Sequence, residues 1–257
     1  MASLLLRRMA MADTPFGRAA RAARRFVLDF SLPAPAVVVR PLLWVFLAVR
    51  QVYYFVYRVF VCEPLFKAAC TRVGRRVRTG PFIQWIQGAG RIEIGDDLAI
   101  HGKISIIFAS RYSDEPTLRI GSHSNIGHNC AFVVGRAITI GEYCQMASAV
   151  TIFDASGHPS DPIAREAGEP APIETVKPVV IERNVWIGTG AVIFPGVTIG
   201  ENSVIGTRAI VMNSVPPNSL VLAPAGRRMG SVGTVAAGPA PADPAGVAAA
   251  GSVAVAV

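Results

Sequence analysis

From residue 91 onward, aliphatic side chains recur every six positions. Ile94, Ile100 and Ile106 are followed by Ile120, Ile126 and Phe132, then by Ile140, Met146 and Ile152. The pattern resumes at Ile181, Ile187 and Ile193 and closes with Ile199, Ile205 and Val211. Each triplet makes an 18-residue unit, and the five units start at 94, 120, 140, 181 and 199. A period of six is neither the 3.6 of a helix nor the 2 of a plain strand. It fits three short strands, joined by turns, per turn of a prism, with the aliphatic residue pointing inward and stacking on its equivalents. Glycine follows that residue in Ile120-Gly121, Ile126-Gly127, Ile140-Gly141, Ile187-Gly188, Ile199-Gly200 and Ile205-Gly206, where it relieves crowding at a corner. A stacked core cannot absorb extra residues, so the insertions between units are outward loops. The longest, 154–180, is long for a compact domain, and such loops are usually functional.

The sequence outside the repeat has a different character. Residues 1–80 hold 14 Lys/Arg against three acids, and the remaining 177 hold 11 against 14. A nucleic-acid-binding module would carry its basic residues on the folded repeat. Here they lie beside apolar sequence, which points to an anionic membrane surface and to no nucleic acid. Residues 1–25, with six arginines and one acid, are expected to be poorly ordered in solution. Residues 36–62 are the most apolar stretch. On a helical wheel Arg40 and Arg58 coincide, Gln51 lies close by and Arg50 is offset, which gives a narrow polar arc suited to lying in a membrane interface. Spanning the bilayer, or packing on the folded domain or a subunit, are the alternatives. The four cysteines show no CxxC spacing and are expected to be reduced. The N-terminus lacks the apolar run of a secretory signal, so a cytoplasmic protein, peripheral on the cytoplasmic face of the inner membrane, is expected. The organisation read from these features is a helical extension over 1–80, a β-domain over 81–230 and a disordered Ala/Gly/Val tail over 231–257.

The hexads resemble the bacterial transferase hexapeptide family. GHPSDPIAREAG, from Gly157 to Gly168, resembles the catalytic segment of maltose and galactoside O-acetyltransferases. VWIGTGAVIFPGVTIGENSVIGTRAIV, from Val185 to Val211, is similar to the family's C-terminal coils. The resemblance implies an all-β fold, a left-handed parallel β-helix of about five coils with the N-terminal helical extension. It also implies a homotrimer with sites between subunits, acetyl-CoA as co-substrate, no metal, and a hydroxyl acceptor on a carbohydrate. By the same match Trp186, Gly188, Thr189 and Thr207 line the coenzyme A groove. Arg227 and Arg228 stand in for a displaced basic motif toward its phosphates, because Asn213 replaces the family's lysine and the final motif reads APAGRR. The segment NCAFVVGRAITIG is short and lacks the asparagine that such enzymes offer to a sugar. With a membrane-directed N-terminus, that shifts the expected acceptor toward a lipid-linked glycan or polysaccharide.

The chemistry of His158 also stands on its own. Transfer from a thioester to a hydroxyl needs a base near neutral pH, which imidazole supplies, and donors for the tetrahedral oxyanion, which glycine turns supply. Asp154, four residues earlier, is a candidate to orient the imidazole or bind the acceptor, beside a capping or turn role. Asp161, Arg165 and Glu166 share the loop and fit a solvated face equally well. Two rivals remain. One is a non-catalytic β-helix scaffold at a membrane. The other is a γ-class carbonic anhydrase-like zinc site, for which His123 and His128 have the spacing but stand one frame out of the pattern.

Overall fold

The structure is a computed structural model that describes residues 14–226. Three parallel sheets of six, seven and six strands run along a prism, and successive coils contribute one strand to each. The hexad residues fall into columns in register. Val73, Ile94, Ile120, Ile140, Ile181 and Ile199 form one. Thr79, Ile100, Ile126, Met146, Ile187 and Ile205 form the second. Ile86, Ile106, Phe132, Ile152, Ile193 and Val211 form the third. All fifteen residues of the sequence template are buried, none more than 4% exposed.

A second inward position, two residues before each template residue, carries the rest of the core. It holds Ile92, Leu98 and Ile104 in one coil, Val179, Val185 and Ala191 in another, and also Cys130 and Cys144. All four cysteines are free. Burial pushes the Cys130 and Cys144 thiols up, which keeps them protonated and inert. Ser124 and Ser203 occupy the same position and are satisfied there: Ser124 Oγ accepts from Cys144 N at 3.0 Å, and Ser203 Oγ accepts from Ser219 N at 3.1 Å.

The β-helix begins at Arg72, ahead of the expected boundary at 81, so the columns hold six coils rather than five. The extra coil lacks the aliphatic signature. Thr79 stands at one inward position and Gln84 at another, and the step from Thr79 to Ile86 is seven residues rather than six. Gln84 is nonetheless paired: its Oε1 accepts from Ile104 N at 2.7 Å, and its Nε2 donates to Phe82 O at 2.9 Å.

The N-terminal segment is helical. Helix α1, Pro15–Asp29, is capped by Thr14, whose Oγ1 accepts from Gly17 N at 3.1 Å, with Pro15 in the first turn. The helix agrees with the helical extension expected over 1–80; residues 1–13 lie outside the described residues, as do Arg227, Arg228 and the expected tail at 231–257. Helix α2, Ala36–Tyr57, runs through a π turn, Arg58–Cys62, into α3, Glu63–Ala69. None of α2 is buried, so it does not pack on its own domain. Cys62 and Phe66, four residues apart, are buried, and Phe66 joins the hydrophobic core at the open end of the first coil. That contact covers strand edges that would otherwise be exposed to another chain.

The first corner of each coil puts one residue in the left-handed region, including Asp97, His123, Tyr143, Asn184 and Asn202. Asn and Asp tolerate it, but alanine does not favour it. Ala149, at the next corner, has φ 59° and is exposed. Ala149→Gly is expected to stabilise the fold by about 0.5–1 kcal/mol, as the relieved strain exceeds glycine's entropic cost. A shift of the urea unfolding midpoint to higher concentration checks this; a lower midpoint contradicts it.

Candidate active site

The longest insertion leaves the prism after the strand Thr151–Phe153 and returns at Val179–Ile181. Its base is tied at one residue. Asp154 is fully buried, and its carboxylate accepts from the backbone N–H groups of Arg136 and Ala137, each at 2.7 Å, and from Gly135 N. Its own carbonyl accepts from Lys177 N at 3.0 Å, on the returning end of the loop. Burial pushes the Asp154 carboxyl up, while the three N–H donors pull the other way. The carboxylate is therefore committed to the 135–137 turn. It works as a turn and loop-base anchor, the turn role the sequence left open, and makes no hydrogen bond to the His158 imidazole.

The loop is packed as well as tied. Ala155, Pro159, Ala171 and Val176 are buried, while His158 between them is exposed and its imidazole makes no hydrogen bond to a described residue. Gly157, at φ +82°, makes the turn that presents it, a conformation an L side chain would strain. Beyond it, a short helix, α4, Pro162–Glu166, is capped by Asp161, whose Oδ1 accepts from Ile163 N at 3.1 Å. Arg165 Nη1 donates to the carbonyls of Pro159 and Ser160 at 3.1 and 3.0 Å. Asp161 and Arg165 thus shape the loop that carries His158. Nothing in the sequence pointed to Tyr112, in the insertion between Ile106 and Ile120, whose ring lies against Gly135 and whose hydroxyl is buried without a partner among the described residues.

The residues expected to bind coenzyme A gather elsewhere. Trp186 is 55% exposed on an outward strand position. Gly188 opens the corner that follows, and Thr189 and Thr207 are exposed on successive coils there, with Arg208 N donating to Thr189 O at 2.8 Å. A Cβ on Gly188 would lie 2.6 Å from Thr207 N, so the two coils approach this closely at the corner only because the residue is glycine. His158 lies at the corner between the third and first sheets, whereas this cluster lies between the second and third. One chain alone does not bring the two together.

A shallow cleft of about 440 Å³ lies on another face, lined by Arg72, Glu93, Arg119 and Glu142 among others. Its charges answer each other, as in the Arg119–Glu93 pair at 2.8 Å, and it is remote in the coil from the His158 corner. His123 and His128 also sit at different corners. His123 stacks on Tyr143 with its Nδ1 3.4 Å from Asp97, and His128 packs edge-on to Phe82. Among the described residues no three His, Cys, Asp or Glu side chains are grouped as a metal site.

Known proteins share this architecture. AntD, an N-acyltransferase from Bacillus cereus, solved as a variant with dTDP and coenzyme A, has TM-score 0.50 and 21% identity over 64% of this chain and 84% of its own. At that identity the likeness concerns the fold alone. Residues 178–213 match the family described as bacterial transferase hexapeptide (six repeats). The galactoside O-acetyltransferase of Escherichia coli K12 is 39% identical over 107 residues, 42% of this chain and 50% of that protein. Nodulation protein L of Rhizobium meliloti is 39% identical over 105 residues, 41% and 55% of the two chains. The chain thus spans about half the length of the curated relatives it matches. The stacked hexads define a left-handed parallel β-helix. Within that class, residues 178–213 carry bacterial transferase hexapeptide repeats, and the chain is similar over part of its length to a galactoside O-acetyltransferase.

Asp154→Ala would strand the N–H donors of residues 135–137 and is expected to cost about 3 kcal/mol of stability. Asp154→Asn keeps one acceptor and should cost less. Unfolding curves for the two variants check the order; equal stability of wild type and Asp154→Ala would contradict the anchoring role.

Proposed function

We propose that the protein is an acyl-CoA-dependent O-acyltransferase, in the first instance an acetyltransferase, that modifies a hydroxyl of a carbohydrate. The observation that carries this reading is His158, an exposed imidazole on a backbone anchored at both ends, within a segment that resembles the catalytic segment of sugar O-acetyltransferases. Relatives named as O-acetyltransferases support the reaction class.

The steps balance without a metal. The acceptor hydroxyl attacks the thioester carbonyl as His158 takes its proton, and backbone N–H groups of a glycine turn stabilise the oxyanion. Collapse breaks the C–S bond, and the imidazolium returns the proton to the departing coenzyme A sulfur. Trp186, Thr189 and Thr207 suit the pantetheine arm, an apolar wall and two hydroxyls, on a corner that Gly188 lets the coils close tightly. Since that corner and His158 are apart within one chain, the complete site requires a neighbouring copy, and a homotrimer supplies three equivalent junctions.

The acceptor is best read as a lipid-linked glycan or polysaccharide intermediate at the cytoplasmic face of the membrane. The support is the helix Ala36–Ala69, long and apolar enough to cross a bilayer by length and composition, with a window of mean hydropathy 1.5. Its arginines and the basic α1 favour lying in the interface over spanning it.

With acetyl-CoA and a suitable glycan, His158→Ala should lower kcat by about 10²–10⁴-fold, followed by release of free thiol. Unchanged turnover would remove His158 from the mechanism. Mixing His158→Ala with Gly188→Val subunits, each inactive alone, should restore part of the activity through hybrid junctions; no recovery in verified hybrids would place the site within one chain. Equal rates on free disaccharides and lipid-linked glycans would overturn the acceptor assignment.

A further inference from the structure

The helix that leaves the prism meets its first two coils at a second cleft, of about 250 Å³, lined by Arg58, Arg78 and His101. Cys62 and Phe66 are buried against the coils, and Arg58 stands four residues before Cys62, so the same helical face carries Arg58 over the cleft. The π turn starts at Arg58, where Glu63 N–H reaches back to Arg58 O. Such turns occur mostly as local departures from α-helix at functional sites.

The charge of the cleft is uncompensated. No carboxylate lines it, and neither Arg58 nor Arg78 forms an ion pair with a described residue, in contrast to Arg75, Arg76, Arg91 and Arg119 on neighbouring faces. Glu63, the acid next to it in sequence, is taken by Lys67 at 2.7 Å. His101 is exposed and fixed by its Nε2, 3.3 Å from Asn125 Oδ1. Asn125 Nδ2 donates to Gln145 Oε1 at 2.9 Å, so Asn125 Oδ1 is the acceptor and His101 Nε2 the donor. Two guanidiniums and an imidazole around a small opening match the oxygens of a phosphate.

Arg58 also ends the exposed apolar helix Ala36–Tyr57, which places the cleft where acyl chains would give way to headgroups. We propose that this cleft binds the phosphodiester headgroup of an anionic phospholipid and seats the β-helix on the membrane at a defined angle. The proposal rests on the membrane association put forward above and adds to it a specific site and ligand class.

Native mass spectrometry of the full chain in non-ionic detergent tests it, because no charged surface is present to attract α1. Phosphatidylglycerol should add as one saturable adduct per chain, with phosphatidylcholine at least roughly 10-fold weaker. The double substitution Arg58→Gln, Arg78→Gln should weaken the phosphatidylglycerol adduct by roughly 10-fold or more, at about a factor of five per arginine. The pair Arg58→Lys, Arg78→Lys should recover part of it, and Arg24→Gln, Arg25→Gln in α1 should leave it unchanged. An undiminished adduct in the Arg58→Gln, Arg78→Gln chain would overturn the site. Binding of glycerol phosphate as tight as that of the lipid would overturn the lipid assignment in favour of a soluble phosphate ester. Flotation with phosphatidylcholine/phosphatidylglycerol vesicles separates the two readings: a wild-type chain that does not float refutes membrane association, whereas one that floats but forms no saturable phosphatidylglycerol adduct in detergent refutes only the cleft.

Discussion

Every part of this molecule depends on inward side chains stacking coil upon coil. A parallel ladder fixes the spacing of the coils, and the aliphatic columns fill what the ladder encloses. A residue of the wrong size at Ile120 or Ile152 would press on the coils above and below as well as on its own. The same stacking forces all variation outward, so the functional material is confined to corners and insertions. His158, Gly188 and the cleft at Arg58 are all found there.

Three corners per coil give one chain three separate edges. His158 stands on one edge and the cluster of Trp186, Gly188, Thr189 and Thr207 on another. This division makes assembly a matter of geometry: two edges of different copies can face each other, but two edges of one prism cannot. Asp154 belongs to the same logic, since a loop that leaves a rigid stack must be tied where it leaves. Its carboxylate joins the insertion to the turn of the preceding coil, and its carbonyl joins the two ends of that same insertion.

Much of this was legible in the sequence where a side chain's role repeats. Five coils announced themselves through Ile94 to Val211 because each inward position recurs in one register. The coil before them did not, because polar Thr79 and Gln84 fill inward positions and a seven-residue step breaks the count. The second inward column was hidden by its mixture of Ile, Cys, Ser and Ala, whose common property is fitting a narrow place. His158 stood out through its neighbours Gly157 and Pro159. The true occupation of Asp154 did not, since its partners are backbone groups 17 to 19 residues earlier and carry no residue-type signal. The capped helix at Pro15 was masked by its density of arginines, although Thr14 and Pro15 mark its start.

Coil stacking also supplies a measure of height. From the coil of Ile86, against which the N-terminal helix ends, to the coil of Ile152, from which the His158 loop departs, there are three steps along the columns. At about 4.8 Å per step, the loop leaves the prism roughly 14 Å above its base. Were the chain held at a bilayer by its N-terminal helix, as proposed, the number of coils would act as a ruler, setting how far from the surface a hydroxyl must stand to meet the His158 loop.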